Sequence, residues 1–310
     1  MKILLTGACG YKGTVLVPKL LAAGHEVIAF DIMWFGNYLK DHPLLKVVKG
    51  DVCNTKSIPL EGVDVIIHLS SVANDPCGDL DPKLTWEISC LATMQLAERA
   101  VRMGIKRFIF ASSGSVYGIK EEMEVTEDLE LVPLSEYNKT KMIAERILLS
   151  YSKQITIQII RPATVCGLSS RMRLDVAVNL LTIQALTKGE MTILGGQQIR
   201  PNIHIEDITD LYIYLLNNPE INGIFNAGFE NLTIMNIAEK IAIKTNANIK
   251  IFESNDPRSY RLNSNKLLKT GFTPKKTVDD AINEICTAYS DKLIKDEEKY
   301  YNLKVMLKND

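Results

Sequence analysis

Residues 1–13 read MKILLTGACGYKG, an apolar run followed by Gly7, Gly10 and Gly13. In this spacing one glycine permits the turn from strand to helix, one lets the main chain approach a phosphate without a Cβ in the way, and one permits close packing of helix against strand. A helix-like segment, residues 15–23, follows, and its N-terminus offers unpaired N–H donors to an anion. The stretch therefore predicts a strand-turn-helix unit that binds the pyrophosphate of a dinucleotide.

A second apolar run, residues 27–30, ends at Asp31. A carboxylate at the tip of the second strand, about twenty residues past the glycines, is placed to bind the hydroxyls of the adenosine ribose. Its negative charge repels a 2′-phosphate and so favours NAD over NADP. Lys12, inside the glycine turn, is a cation that tolerates a 2′-phosphate and leaves NADP as the alternative.

Short apolar runs alternate with longer helical patterns through the first half of the chain. The runs are rich in Val and Ile without clean alternation, which indicates burial on both faces and hence a parallel sheet covered by helices. We predict an α/β fold with a doubly wound parallel sheet of Rossmann type and a smaller C-terminal substrate-binding part. The predicted strands are residues 3–5, 27–30, 45–48, 63–69, 108–111 and 155–160, and the later predicted helices are residues 91–103, 137–151, 175–187, 208–216, 234–245 and 278–295.

The pattern becomes less regular after Arg161-Pro162, which suggests a change of domain. We assign residues 1–163, with return segments around 201–228, to the dinucleotide-binding domain. Residues 164–200 and 229–295 form the predicted substrate-binding part. Residues 296–310 are polar and mixed in charge, and we interpret them as a solvated helix or a frayed end.

The amino-acid composition limits the kinds of partner that we expect for this protein. The 310 residues carry a formal net charge of −1, which gives no general attraction to nucleic acid or to an anionic membrane. The six cysteines are scattered without a Cys-x-x-Cys pair and only four histidines accompany them, so neither a disulfide framework nor a metal site is indicated. The N-terminus lacks the features of a signal peptide. We expect a cytoplasmic protein with no metal, nucleic-acid or membrane partner.

Tyr137 and Lys141 lie four residues apart in a helix-like segment and therefore share one helix face. A phenol is a poor base at its ordinary pKa of roughly 10, and a nearby lysine stabilises the phenolate and lowers that pKa. Alone, such a pair is typical of a solvated helix face. Here it follows a strand that ends in Ser112-Ser113, whose hydroxyls are predicted at the edge of the sheet where the ligand crevice opens.

In order and spacing, these features resemble the extended short-chain dehydrogenase/reductase superfamily, in its NAD-dependent sugar-nucleotide epimerase/dehydratase type. The resemblance covers essentially residues 1–290. The matching stretches are Thr6-Gly7-x-x-Gly10-x-x-Gly13, Asp31, Gly50-Asp51-Val52, Ser112-Ser113-Gly114-Ser115-Val116-Tyr117-Gly118, Tyr137-x-x-x-Lys141, Arg161-Pro162-Ala163-Thr164-Val165-Cys166-Gly167, Arg200 through His204-Ile205-Glu206-Asp207, and Phe225-Asn226-Ala227-Gly228.

The resemblance implies NAD as cofactor, a nucleotide sugar as substrate and a homodimer formed through paired helices. It implies that Ser113 and Tyr137 contact the sugar hydroxyl that reacts, and that Lys141 holds the nicotinamide ribose while tuning Tyr137. It also implies that Asp51 and Val52 flank the adenine. The other residues assigned to the cofactor are Gly7, Gly10, Tyr11, Lys12, Gly13, Asp31, Leu69 and Ser70.

Cations in the second half suit a nucleotide sugar, because guanidinium groups match the geometry of a diphosphate. Arg200 and Arg258 resemble the family's diphosphate arginines, and Asn179 resembles the asparagine that meets the phosphates. Arg171 and Arg173, in the stretch RMRLD, are assigned to the substrate, with surface salt bridges as the alternative. This stretch and the turn Asn74-Asp75-Pro76 resemble a subgroup of sugar-nucleotide enzymes for surface polysaccharides.

One departure from the family narrows the reaction. The family's 4,6-dehydratases carry an Asp-Glu pair where this chain has Gly114-Ser115, and neither residue does that proton work at neutral pH. The main hypothesis is therefore a C4 epimerase that works through a 4-keto intermediate. A nucleotide-sugar 4-dehydrogenase or 4-ketoreductase is the alternative, and a non-catalytic NAD-binding sensor is a third possibility because fold alone does not give function.

Overall fold

The computed structural model describes residues 1–254 and 259–309. All six predicted strands belong to a seven-stranded parallel sheet in the order β10-β6-β5-β4-β1-β2-β3. The doubly wound prediction is thereby confirmed. The strands are β1 (Lys2–Thr6), β2 (Glu26–Asp31), β3 (Leu45–Lys49), β4 (Val65–His68), β5 (Arg107–Ala111), β6 (Thr156–Pro162), β7 (Thr164–Cys166), β8 (Glu190–Leu194), β9 (Ile199–His204), β10 (Gly223–Ala227), β11 (Glu230–Thr233) and β12 (Asn248–Phe252).

The apolar runs lack alternation because the sheet is buried on both faces. Ile3 and Leu5 point into one hydrophobic cluster and Leu4 into the other, as the period of two in a strand requires. All three side chains are fully buried. A strand in this environment needs an apolar residue at every position, which is the pattern read from the sequence.

The described helices include those predicted from the sequence, close to their expected positions, and shorter ones that were not predicted. They are α1 (Gly13–Ala22), α2 (Asp75–Leu80), α3 (Pro82–Trp86), α4 (Ala92–Arg102), α5 (Glu136–Ser150), α6 (Ala177–Lys188), α7 (Ile205–Asn217), α8 (Ile234–Thr245), α9 (Asn265–Leu268), α10 (Val278–Ser290) and α11 (Asn302–Asn309). None of these described helices has the length and apolar character needed to cross a bilayer. The helix predicted over residues 278–295 is too long by five residues, because the chain turns through a positive φ of 59° at Lys292.

Two smaller sheets complete the fold. The first has the order β11-β9-β7 and the second pairs β12 with β8. A third hydrophobic cluster, which includes residues of α6, α8 and α10, packs beside them. These elements fall mostly in the residues assigned above to substrate binding, whereas β10 returns to the main sheet beside β6. The functional division of the chain into domains stays a prediction.

The interpretation of residues 296–310 as solvated or frayed is wrong for the first part of α11 and the turn before it. Tyr300, Asn302 and Met306 are buried, and Leu303 packs against the same core as Met306. Leu303 and Met306 lie three residues apart on α11 and share one helix face. Their polar and charged neighbours, Asn302, Lys304 and Lys308, hid this short apolar pair in the sequence.

Helix α5 is fastened to the sheet by a buried ion pair. The Glu145 carboxylate on α5 accepts hydrogen bonds from the Arg161 guanidinium on β6 at 2.6 Å and 3.0 Å, and also from the Ser112 hydroxyl. Arg161 in turn donates to the Tyr117 hydroxyl at 2.7 Å. Both charged side chains are almost fully buried. The helix that carries Tyr137 is therefore held in one position relative to the strand ends.

Replacing Glu145 with Gln should destabilise the protein strongly. The change leaves the Arg161 charge buried without its counter-ion, and such losses cost about 3–5 kcal/mol. Urea denaturation of Glu145→Gln measures the free energy of unfolding. Arg146→Gln, on the exposed neighbour, is the matched control and should stay within about 0.5 kcal/mol of the parent. Equal stability of the two variants would contradict the role given to the pair.

Candidate active site

A cavity of about 540 Å³ lies at the carboxyl edge of the main sheet. Strand order reverses there, since β1 is flanked by β2 on one side and β4 on the other. Such a reversal opens the crevice in which open parallel sheets bind their ligands. The glycine turn after β1, the ends of β2, β4 and β5, one face of α5 and the segment before α6 form the walls.

The structure brings together nearly all of the predicted site residues. Every residue assigned to the cofactor lines the cavity: Gly7, Gly10, Tyr11, Lys12, Gly13, Asp31, Asp51, Val52, Leu69, Ser70, Tyr137 and Lys141. The predicted substrate residues that line it are Ser113, Arg171, Arg173 and Arg200. Arg258 lies outside the described residues.

The glycine turn fits a diphosphate because two of its positions have no room for a side chain. Gly7 has a φ of +70°, and a Cβ there would lie 2.7 Å from the main-chain nitrogen of Ser70. A Cβ on Gly13 would lie 2.3 Å from the carbonyl oxygen of Ala8. Helix α1 begins at Gly13, and residues 10–13 at its N-terminus line the cavity, where the positive end of the helix dipole favours an anion.

Asp31 is held in place for a ribose. Its two carboxylate oxygens accept hydrogen bonds from the backbone N–H groups of Cys9 at 2.9 Å and Met33 at 2.7 Å. Each oxygen keeps a further lone pair for a ligand hydroxyl. Burial raises the pKa of Asp31, and the two N–H donors together with the Arg171 charge oppose that shift.

Tyr137, Ser113 and Lys141 meet at the other end of the cavity. The Ser113 side chain forms a hydrogen bond with the Tyr137 phenol, and its oxygen lies 2.6 Å from the Ser115 hydroxyl oxygen. Ser115 donates onward to the side-chain oxygen of Asn138. The buried Lys141 ammonium donates to the carbonyl oxygen of Ala111 at 2.7 Å and lies 5.9 Å from the centre of the Tyr137 ring.

The pKa shifts of this cluster correct one expectation. Desolvation raises the pKa of Tyr137, and the hydrogen bond with Ser113 opposes that rise. Desolvation and the nearby Lys12 charge lower the pKa of Lys141 to about 7. The prediction that Lys141 draws the phenol pKa down is therefore wrong for this structure, because desolvation disfavours the charged form of both groups.

Arg171 and Arg173 are part of the cavity wall, so the alternative of surface salt bridges is not supported. The Arg173 guanidinium pairs with Asp175 at 2.9 Å and 3.2 Å, and both side chains are largely buried. Arg171 is 2% exposed, stacks at 4.0 Å on the ring of Phe35 and donates to the side-chain oxygen of Asn302 at 2.6 Å.

The prediction that Asn179 contacts the substrate phosphates is wrong. Its side chain is fully buried behind the cavity wall. Its oxygen accepts from the Gly167 N–H at 3.1 Å, and its NH₂ group donates to the Tyr11 hydroxyl at 3.0 Å and the Arg173 carbonyl at 2.9 Å. Asn179 therefore positions two cavity residues and has no hydrogen-bonding group turned to a ligand.

Comparison with known proteins identifies the family of this chain. Residues 3–228 match the model of the NAD dependent epimerase/dehydratase family. The chain belongs to this family. Two curated relatives are a UDP-glucose 4-epimerase of Lactobacillus helveticus, 27% identical over 91% of this chain and 95% of that protein, and the uncharacterized UDP-glucose epimerase YtcB of Bacillus subtilis, 32% identical over 78% of this chain and 81% of that protein.

A solved relative has the same fold over nearly the whole chain. The crystal structure of UDP-glucuronic acid 4-epimerase from Bacillus cereus, in complex with UDP-glucuronic acid and NAD, superposes with a TM-score of 0.84 at 26% identity, covering 95% of this chain and 100% of that one. The resemblance drawn from the motifs is thus confirmed, and this epimerase/dehydratase family member is an NAD-dependent enzyme. The glycine turn and Asp31 supply what the dinucleotide requires.

Phe35, Asp175 and Asn302 are among the cavity residues that were not assigned to the site from the sequence. Phe35 follows the predicted ribose carboxylate by four residues, and its place beside Asp31 was the available signal. Asn302 is 131 residues away from Arg171, its hydrogen-bond partner, so no local spacing pointed to it.

Asp31→Asn should weaken NAD binding by about 10–100-fold, the cost of losing hydrogen bonds to a charged group. Both carboxylate oxygens already accept an N–H, so the amide would turn an NH₂ group toward a donor. The difference in Kd between NAD and NADP should also narrow, because the charge that repels a 2′-phosphate is gone. Isothermal titration gives both constants, with the exposed Asp41→Asn as control. An unchanged Kd for NAD would remove Asp31 from the ribose site.

Proposed function

We propose that this protein is an NAD-dependent epimerase that inverts C4 of a nucleotide sugar through a 4-keto intermediate. The observation that carries the proposal is that Tyr137, Ser113 and Lys141 meet in the same cavity as the glycine turn and Asp31. A proton-transfer group thus lies beside a site for a hydride carrier. The 4-epimerases of Lactobacillus helveticus and Bacillus cereus support C4 as the reacting carbon.

In this mechanism the side chains move one proton in each direction. Tyr137 takes the proton of the C4 hydroxyl during oxidation and returns it during reduction, while the Ser113 hydroxyl holds the C4 oxygen. Lys141, fixed by the Ala111 carbonyl, holds the ribose next to the nicotinamide. The glycine turn, Asp31 and Lys141 would hold NAD, which would supply reversible hydride transfer at C4 and a positive charge that favours the Tyr137 phenolate. Proton and hydride both return, so no net oxidation results.

The region after Ser113 argues against elimination of water. Gly114 has no side chain, and a Cβ there would lie 3.1 Å from the carbonyl oxygen of Pro162. The Ser115 hydroxyl is already in contact with Ser113 and Asn138. Neither position supplies the acid and base that a 4,6-dehydratase needs, and this supports an epimerase.

For the substrate we propose a nucleoside diphosphate sugar, with surface polysaccharide sugars as its class. Arg200 and Arg173 line the cavity and offer guanidinium groups to a diphosphate. We assign residues 164–200 and 229–295 to its binding. The homodimer, its paired helices and the cytoplasmic location stay predictions from the family resemblance.

Incubating the purified protein with UDP-glucose or UDP-glucuronic acid tests the reaction. An epimerase forms the C4 isomer without a lasting change in the absorbance of reduced nicotinamide. A steady rise of NADH with added NAD would instead identify a 4-dehydrogenase, and consumption of NADH with a keto sugar would identify a 4-ketoreductase. Absence of any turnover with a range of nucleotide sugars, together with intact NAD binding, would favour the sensor.

Tyr137→Phe should lower kcat by at least about 10²-fold, the usual effect of losing a general acid/base. NAD binding should be nearly unchanged, since only the hydroxyl is removed. The initial rate of isomer formation and a parallel NAD titration measure the two effects. Tyr151→Phe, at the far end of α5, is the control and should keep full activity. A variant at position 137 that turns over like the parent would exclude the phenol from the mechanism.

A further inference from the structure

Arg171 is a buried cation with an unused hydrogen-bond donor. Its guanidinium stacks on Phe35 and donates through one terminal nitrogen to Asn302 at 2.6 Å. Its Nε finds no acceptor among residues 1–254 and 259–309. A buried polar group without a partner is costly, and the cost is higher when the group is charged. Arg171 also lines the cavity, so a ligand bound there is a possible source of an acceptor for the guanidinium.

The position of Arg171 indicates which part of the cavity its ligand would occupy. Phe35, on which it stacks, follows β2 directly, and Asp31 at the end of β2 is close enough for the two charges to interact. These residues border the half of the cavity predicted for the adenosine end of NAD. Tyr137 lies on α5, and Ser113 follows β5. In the proposed function the hydroxyl groups of both residues face the sugar.

Residues 167–175 form a roof over the glycine turn. The Tyr11 hydroxyl donates to the Gly167 carbonyl at 2.7 Å, and the Ser169 hydroxyl donates to the Tyr11 carbonyl at 2.9 Å. The Ser169 oxygen also lies 2.8 Å from that of Thr14 in α1. The backbone N–H of Arg171 donates to the Thr14 hydroxyl at 3.4 Å, so residue 171 lies beside the first turn of α1.

Residues 297–309, here named the C-terminal clasp, fasten the roof. The Asn302 side chain holds Arg171, and its backbone N–H donates to Asp175 at 3.1 Å. The Leu174 N–H donates to the Tyr300 carbonyl at 2.9 Å. Met306 anchors α11 in the core beneath the sheet. Within the clasp, Met306 is therefore buried in the core, and Asn302 holds the Arg171 guanidinium.

We propose that Arg171 binds the diphosphate of the coenzyme rather than that of the nucleotide sugar, and that Asn302 positions it, so that the C-terminal clasp retains NAD in the cavity. Backbone N–H groups of the glycine turn approach the diphosphate from one side and the guanidinium from the other. Slow release suits an enzyme that regenerates its coenzyme in each cycle. The inference concerns coenzyme binding alone and stands or falls independently of the C4 reaction.

The release rate of NADH from the full-length protein tests the clasp. Bound NADH is displaced with excess NAD and followed by its fluorescence in a stopped-flow instrument. Arg171→Met should speed release by about 10–100-fold, as expected for lost bonds to a charged acceptor. Asn302→Ala should speed it by at least about 5-fold. Lys295→Ala, exposed and outside the clasp, is the control and should release NADH at the parental rate.

The double variant Arg171→Met/Asn302→Ala shows whether Asn302 acts by positioning Arg171 or only by docking α11 against the rest of the protein. If Asn302 acts through Arg171, the double variant releases NADH no faster than Arg171→Met alone. Multiplied effects would show that Asn302 acts by another route and would overturn its positioning role. Unchanged NADH release in Arg171→Met, with weaker binding of UDP to the NAD-loaded protein, would return Arg171 to the nucleotide sugar.

Thermal melting of each variant distinguishes lost binding from lost folding. Arg171→Lys supplies a second test, since it keeps a buried charge but loses the planar fork. We expect its NADH release to lie between those of the parent and Arg171→Met. Release at the parental rate would show that the guanidinium geometry is not needed and would contradict the proposal.

Discussion

The close approach of the main chain at Gly7 is the constraint on which the site depends. A side chain there would collide with the backbone at Ser70, so only glycine lets the turn after β1 lie against the end of β4. That contact brings the N-terminus of α1 to the place where strand order reverses. The phosphate cradle, Asp31 on β2 and the hydroxyls after β5 thereby open into one cavity.

Features that depend on residues close together in the sequence were predictable from the sequence. The strands, the glycine turn, Asp31 and the Tyr137–Lys141 pair depend on neighbours a few positions away, and the structure places them as expected. Asn179 was misassigned because its three hydrogen bonds reach distant segments. The docking of α11 was not predicted for the same reason. The pKa of Tyr137 depends on how deeply the fold encloses it, which spacing does not report.

The cavity gathers cations that disfavour one another. Desolvation and the Arg173 charge lower the pKa of Lys12 to about 8, and Lys12 in turn lowers that of Lys141. Desolvation and Arg173 also lower the pKa of Arg171 to about 10. Such a set costs stability until anions enter, and residues that lower stability in this way are typical of binding sites. The aspartates in the cavity lining, Asp31, Asp51, Asp75 and Asp175, offset part of this positive charge. A dinucleotide and a nucleotide sugar each bring a diphosphate that would offset more of it.

The hydrogen bond between Arg171 and Asn302 also orders events during synthesis. Its partners are 131 residues apart, so a ribosome that adds about 5–20 residues per second leaves Arg171 waiting on the order of ten seconds for Asn302. Through that interval the strands around the glycine turn are already available to pair, while the guanidinium has no acceptor from the distal segment. The hydrogen bond between Arg171 and Asn302 can therefore form only after residue 302 has been synthesised.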